Sequence, residues 1–259
     1  MTDRAPWPTL ATRPLTGALE IEALAPEDRG LLAAMWARRA RSELGAGVVF
    51  SRIAGIVAGL GLGDSQIVWL AARAVSDEVR HAELCRALAS RYAGRALPWP
   101  KAPPVGPPRY RGVAPEHTPI FYVVHNCAIN ETIGTAYLAG CLEAAATPPI
   151  RAVIRELMRD EVDHARIGWA VLGAPQADAE LRAALARALP ELVSSTRDAW
   201  LARAAESPDV VIDGHGCLSQ PRIRALVEDA IDNLVLPGFA HVDVDPAPAR
   251  EAVARARAA

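Results

Sequence analysis

The sequence predicts an all-α protein: a four-helix bundle with a long crossover between its second and third helices, plus about two additional C-terminal helices. Three observations predict it. Hydrophobic residues fill 51% of the 259 positions and aromatics only 5%; with Ala and Leu abundant and β-branched alternation scarce, the balance tilts to helix. Four segments repeat apolar residues at i, i+3 and i+4, the spacing of one helix face. Those segments come in two pairs, each joined by a short turn, with a proline-rich stretch between the pairs.

The elements follow in order. Residues 1–25 read as a proline-containing leader. Pro26 opens the first helix at its first position, Glu27 and Asp28 sit in the first turn, and the helix runs to about Leu60. "GLGLGD" breaks it, and Asp64 or Ser65 caps a second helix reaching about Tyr92. Long helices joined by so short a turn lie antiparallel. "GRALPWPKAPPVGPPRYRGVAPEHTP" is too rich in proline for helix and long enough to cross a bundle. Thr118 and Pro119 open a third helix to about Ala146, "TPP" turns the chain, and a fourth helix runs from about Pro149 to Leu172. A fifth spans about Ala177 to Glu206, with a bend expected at Pro190, and a sixth Gln220 to Val235. The Ala/Arg-rich tail from Ala247 is either a short surface helix or frayed. Residues 26–172 are thus expected to form the bundle and 173–259 a helical extension packed on it, a single domain overall.

Each bundle stripe carries acid where a core residue is due. "DEVRHA" (77–82) and "DEVDHA" (160–165) place Glu78 with His81 and Glu161 with His164 on apolar faces of the second and fourth helices. The first helix has Trp36, Ala40, Glu43, Gly47 and Phe50 on one face, and the third has Val124, Cys127, Glu131, Thr135 and Leu138. Glu43 and Glu131 are the lone acids of their stripes, and no core Lys or Arg is expected on these faces. An isolated buried carboxylate costs several kcal/mol. Two divalent cations would neutralise four carboxylates, with the two imidazoles as neutral ligands. The heights agree: Glu43 lies 17 residues before Leu60, His81 16 after Ser65, Glu131 15 before Ala146 and His164 15 after Pro149, which at about 1.5 Å per residue brings them to one level in each hairpin.

These residues resemble the ferritin-like di-iron carboxylate superfamily, whose six-ligand pattern Glu43, Glu78-x-x-His81, Glu131 and Glu161-x-x-His164 match over residues 26–172. The resemblance implies two Fe ions, or Mn/Fe, with Glu78 and Glu161 bridging or chelating, and O2 as co-substrate. It implies a di-iron oxygenase or oxidase acting on a small organic molecule, with electrons from a reductase or ferredoxin-type donor. The alternatives are ferroxidase or iron handling, and rubrerythrin-like peroxide reduction. Asp77 and Asp160 resemble aspartates that hydrogen-bond the ligand histidines in the oxygenase and ribonucleotide reductase branches; otherwise they are solvated helix positions. Thr135 is similar to the active-site threonine of bacterial multicomponent monooxygenases, or else bonds its own i−4 carbonyl. Cys127, one turn before Glu131, would face the same cavity or simply pack. Leu157 stands where p-aminobenzoate N-oxygenase-like enzymes carry a further ligand histidine, and no rubredoxin-type C-x-x-C is present. A seventh ligand could come from His125, His215 or His241, each otherwise a surface or loop residue. Gly47, Gly134 and Gly168 leave room for O2 or substrate near the ions, or serve close helix packing.

A formal charge of −2 gives no electrostatic case for nucleic acid or an anionic membrane surface. Cys85, Cys127, Cys141 and Cys217 lack C-x-x-C pairing and read as free thiols of a reducing cytoplasm. The N-terminus has no apolar signal region, and the apolar run 44–63 holds Arg52 near its middle, so a buried helix is expected in place of a membrane span. The extra C-terminal helices suit the cover of a pocket or a homodimer face.

Overall fold

The computed structural model describes residues 20–62, 65–106, 109–206, 209 and 211–258. Most of the expected leader, and Asp64 as a helix cap, lie outside them. A single turn, α1 (Glu20–Ala23), buries Ile21, and two long helices follow, α2 (Pro26–Gly59) and α3 (Ser65–Ala93). The third long helix has three parts: α4 (Thr118–Val123), a π-helical stretch (Val124–Glu131) and α5 (Thr132–Glu143). Then come α6 (Pro148–Gly173), α7 (Ala179–Ala205) and α8 (Gln220–Ala230). Asp178 caps α7 by accepting the Leu181 N–H at 2.9 Å, which satisfies a donor that the first turn leaves unpaired. Among the described residues only isolated bridges from Ala145 to Gly214 and His215 have β character.

The protein is therefore all-α, with the long helices where the periodicity puts them. Three details differ from expectation. The third helix is interrupted by a π-helical stretch, which a regular 3.6-residue count cannot foresee. The sixth expected helix does not stop at Val235: a π-helical stretch (Ile231–Val235) leads into α9 (Leu236–His241). The tail forms α10 (Ala247–Ala258), which buries Ala249 and Val253 and packs on α7, so it is a seated element. Pro190 lies inside α7, and the helix continues past it.

The order of packing fixes the direction of the chain. α2 lies along α3, α3 along α6, α6 along the π-helical stretch and α5, and α2 touches α4. The crossover climbs the outside of α2. A Cβ on Gly45 would come within 2.8 Å of Pro103, so the bare backbone there admits the proline. Further along, Arg52 donates to the Gly106 carbonyl at 2.9 Å and its guanidinium lies over the Tyr122 ring. The third helix consequently starts at the far end of α2 and runs in the direction of α3. By length and composition α2 could cross a membrane; here it packs along α3 and carries Arg39, Glu43 and Arg52 into contacts with protein.

The hydrophobic core divides into two clusters along the helix axes. One holds Phe50, Ala71, Ala74, Ile129 and Ile167, the other Trp36, Ala40, Cys85, Leu88, Ile154 and Leu157. Glu43, Glu78, His81, Glu131, Glu161 and His164 fall between them. All four cysteines are buried and free, as expected.

Candidate metal centre

Glu78 and His81 are one turn apart on α3, as Glu161 and His164 are on α6, and all four side chains are buried at the seam between those helices. Glu43 reaches in from α2 and Glu131 from the end of the π-helical stretch. Glu43, Glu78, His81 and Glu161 offer donor atoms within 4.8 Å of one another, and so do Glu131, Glu161 and His164. Glu161 belongs to both groups. His164 Nδ1 lies 3.1 Å from Glu78 Oε1 and 3.0 Å from Glu161 Oε2, while His81 Nδ1 lies 3.5 Å from both Glu78 Oε2 and Glu161 Oε1. The six side chains singled out in the sequence thus meet in one place.

The donor set fits a metal ion. Glu78 Oε2 and His81 Nδ1 are buried without a hydrogen-bond partner, a costly condition for polar atoms. Both point into the first group, where one cation would satisfy both. Carboxylate and imidazole together suit first-row divalent ions.

The outer ring nitrogens face the aspartates crosswise. His81 Nε2 is 3.2 Å from Asp160, and His164 Nε2 is 3.6 Å from Asp77. His81 is thereby oriented by the helix it does not belong to, whereas His164 Nε2 is buried without a hydrogen-bond partner. Arg80 binds Asp160, Glu156 and Asp77, the last at 2.9 Å. Arg73 bonds Asp77 and Asp163, both at 2.9 Å. Asp77 and Asp160 are therefore buried, engaged groups and not solvated helix positions.

Protonation follows from this geometry. Burial raises the Glu43 carboxyl to about 7, with the neighbouring Glu78 charge adding to the rise. Burial and the charges of Glu161 and Glu78 push Glu131 well above the ordinary carboxylate range. Burial opposes charge on His81 and His164, yet Asp160, Asp77 and the two central glutamates outweigh it and raise both imidazoles. Glu161 is driven the other way: burial is overcome by its bonds to His164 and His81, which hold it well below normal. Against burial, His81 and Arg80 hold Asp160 down, and His164 and Arg73 do so for Asp77.

Several expectations change. The core faces are not free of arginine: Arg39 Nε bonds Glu43 Oε1 at 3.1 Å, with its guanidinium against the Trp36 and Tyr137 rings. Its place four residues before Glu43 was the available signal, as was Arg80 inside "DEVRHA". Thr135 donates to the Glu131 carbonyl at 2.8 Å and lies outside the cavity lining. Cys127 packs at Gly168, where an added Cβ would stand 2.9 Å from the Cys127 Cβ and 2.4 Å from Ala128 N. Gly168 therefore serves close packing; a Cβ on Gly47 would meet that of Glu78 at 3.4 Å, an ordinary contact, and Gly47 is not in the cavity lining. Gly134 alone of the three lines open space. His125 bonds Thr196 at 2.9 Å and His215 bonds the Tyr92 hydroxyl at 2.7 Å. Neither of these, nor His241, joins a metal group.

A cavity of about 490 Å³ opens on the carboxylate side of the centre, with Glu43, Glu78, Glu131 and Glu161 in its lining. Trp36, Tyr137 and Leu138 form walls, and α7 with α8 closes it through Trp200, Ala204 and Ile223. The Trp200 indole donates to Asn130 at 3.1 Å, and Asn130 donates to Glu131 at 3.3 Å. The C-terminal extension thus covers a pocket. No protein-family model matches the chain, and no curated protein or solved structure matches it.

Proposed function

We propose that the protein is a di-metal carboxylate oxygenase or oxidase of the ferritin-like kind, acting on a small organic substrate. One observation carries the reading: two donor groups sharing Glu161 open through four carboxylates into a cavity of about 490 Å³, a volume in the usual range for small-molecule sites.

Glu43, Glu78, His81 and Glu161 would hold one ion, and Glu131, Glu161 and His164 the other, with Glu78 within reach of both. Iron in both sites, or manganese in one, would supply the binding and reductive activation of O2. The chain's own residues set the conditions. With an ion bound, Asp160 would hold a proton on Nε2 of His81 and leave its Nδ1 lone pair to the ion, and Asp77, 3.6 Å from His164 Nε2, would favour the same tautomer there. Arg80 and Arg73 keep those aspartates ionised. Trp36, Tyr137, Leu138 and Trp200 give the space beside the carboxylates apolar walls and leave room for an organic molecule. The reading requires an electron donor, a reductase or ferredoxin-type protein, and fits a cytoplasmic chain.

Anaerobic titration with Fe(II) followed by metal analysis should find two ions per chain. Exposure to O2 should then give an optical change that Glu131→Ala and His164→Ala abolish. Failure to retain stoichiometric iron or manganese would sink the proposal. Rapid peroxide turnover without organic substrate would move it to the rubrerythrin-like alternative, and a cage-sized particle to iron handling.

A further inference from the structure

The cavity carries a gradient of charge that the metal centre does not explain. Its floor is acidic: Glu78, Glu131 and Glu161 are buried there, and Glu43 is already engaged by Arg39. Its rim is basic. Arg38 and Arg41 from α2 and Arg203 from α7 line it and are exposed, against the single exposed acid Glu206. Arg203 lies over the Trp200 ring, its Cζ 5.3 Å from the centroid, and feels the charges of Glu131 and Glu206 without a direct ion pair to either. Between floor and rim the walls are Trp36, Tyr137, Leu138 and Trp200. A cationic substrate would be repelled at the rim, and a wholly polar one would leave the walls unmatched.

We propose that this cavity binds a small organic acid with an apolar, preferably aromatic, body, its carboxylate at Arg203 and Arg41 and its far end directed at Glu78, Glu131 and Glu161. This deepens the oxygenase reading and rests on it for the fate of the molecule, while binding itself depends only on the cavity. The planar guanidinium of Arg203, already stacked on Trp200, presents a fork of donors that a carboxylate accepts in pairs. The exposed cations lie at the rim, so attraction there fixes the orientation: the carboxylate stays at the rim and the end remote from it lies beside the metal ligands.

Calorimetry tests this with 4-phenylbutyrate, its neutral amide and 4-phenylbutylamine as probes, on the full chain both metal-free and loaded with Fe(II) without O2. The acid should bind in both forms, at least about tenfold tighter than the amide, with the amine weakest. Arg203→Gln should lower the affinity for the acid about tenfold, equivalent to about 1.4 kcal/mol, and leave that for the amide unchanged. Gly134→Leu, which fills the chamber beside Trp200, should abolish binding while circular dichroism shows an intact fold. Equal affinities for acid, amide and amine, no binding by any of them, an unaltered acid affinity in Arg203→Gln, or binding that survives in Gly134→Leu would each overturn the proposal. Acid binding without an O2 reaction would instead defeat only the oxygenase reading, and an O2 reaction without acid binding only this one.

Discussion

The centre depends on residues that never point into it. Arg80 holds Asp77 and Asp160 together across α3 and α6, and Asp160 orients the histidine of the other helix, His81. Removing Arg80 leaves Asp77 with Arg73 at 2.9 Å and Asp160 with Arg159 at 3.3 Å and Arg73 at 3.7 Å. Arg80→Met should therefore cost about 2 kcal/mol in urea denaturation, less than a fully buried pair because Arg73, Arg159 and some solvent remain. Asp160→Asn keeps the shape and loses the charge, so it should weaken metal retention about 10–100-fold with little change in fold; equilibrium dialysis against a chelator measures this, and retention equal to the parent protein's would refute the orienting role. The six central residues were legible because an acid or imidazole on an apolar stripe is conspicuous. The arginines were not. A long side chain whose stem packs while its head reaches a partner looks, in sequence, like any solvated position.

At the scale of elements, the π-helical stretch Val124–Glu131 decides between the two readings of Thr135 in favour of the bond to its own i−4 carbonyl. A regular period through Ile120, Cys127 and Thr135 puts Thr135 on the cavity face, yet Asn130, Glu131, Gly134 and Leu138 line it. The stretch sits against α6 at Gly168, whose missing side chain leaves space for the Ala128 backbone. Gly168→Ala should consequently cost about 2–3 kcal/mol through overpacking, since the nearest atoms are backbone and cannot turn aside. Gly134→Ala provides the contrast. Its Cβ would lie 3.7 Å from Glu131 Oε2 and 3.8 Å from Trp200, ordinary contacts, and replacing a mid-helix glycine should gain up to about 1 kcal/mol. Thermal melts of the two variants decide the matter: equal effects would mean that Gly168 is not a packing contact. Nothing in the sequence distinguished these two glycines, because the difference lies in which neighbouring helix comes closest.

For the whole molecule, the two turn-linked pairs and the proline crossover were legible because breaks and prolines are local signals. The closure of the cavity by α7 and α8, and the seating of α10, depend on distant contacts and were visible only as suitability. The long helices converge on one charge cluster, and that makes global stability a report on the centre. Without metal, protons balance the charge. Glu43 and Glu131 hold protons better folded than unfolded, so they contribute stability that is lost as pH rises, for Glu43 between its ordinary 4.5 and about 7. The raised imidazoles of His81 and His164 act in the same direction: their contribution is present below the ordinary 6.5 and lost as pH climbs through the folded values. Asp77, Asp160 and Glu161 are lowered and matter only as acid is added below the ordinary carboxylate range. Metal-free protein should therefore lose stability from about pH 5 to pH 8 through these groups. Divalent ions take the place of the protons, so loading should release protons into weak buffer and bind more tightly at the higher pH. At free metal about 100-fold above Kd the gain is about 2.7 kcal/mol, about 5–10 °C in Tm for a chain of this length. Melts with chelator and with metal near both pH values test it. A metal-induced rise that is the same at both, or larger in acid, would contradict a centre that exchanges protons for cations.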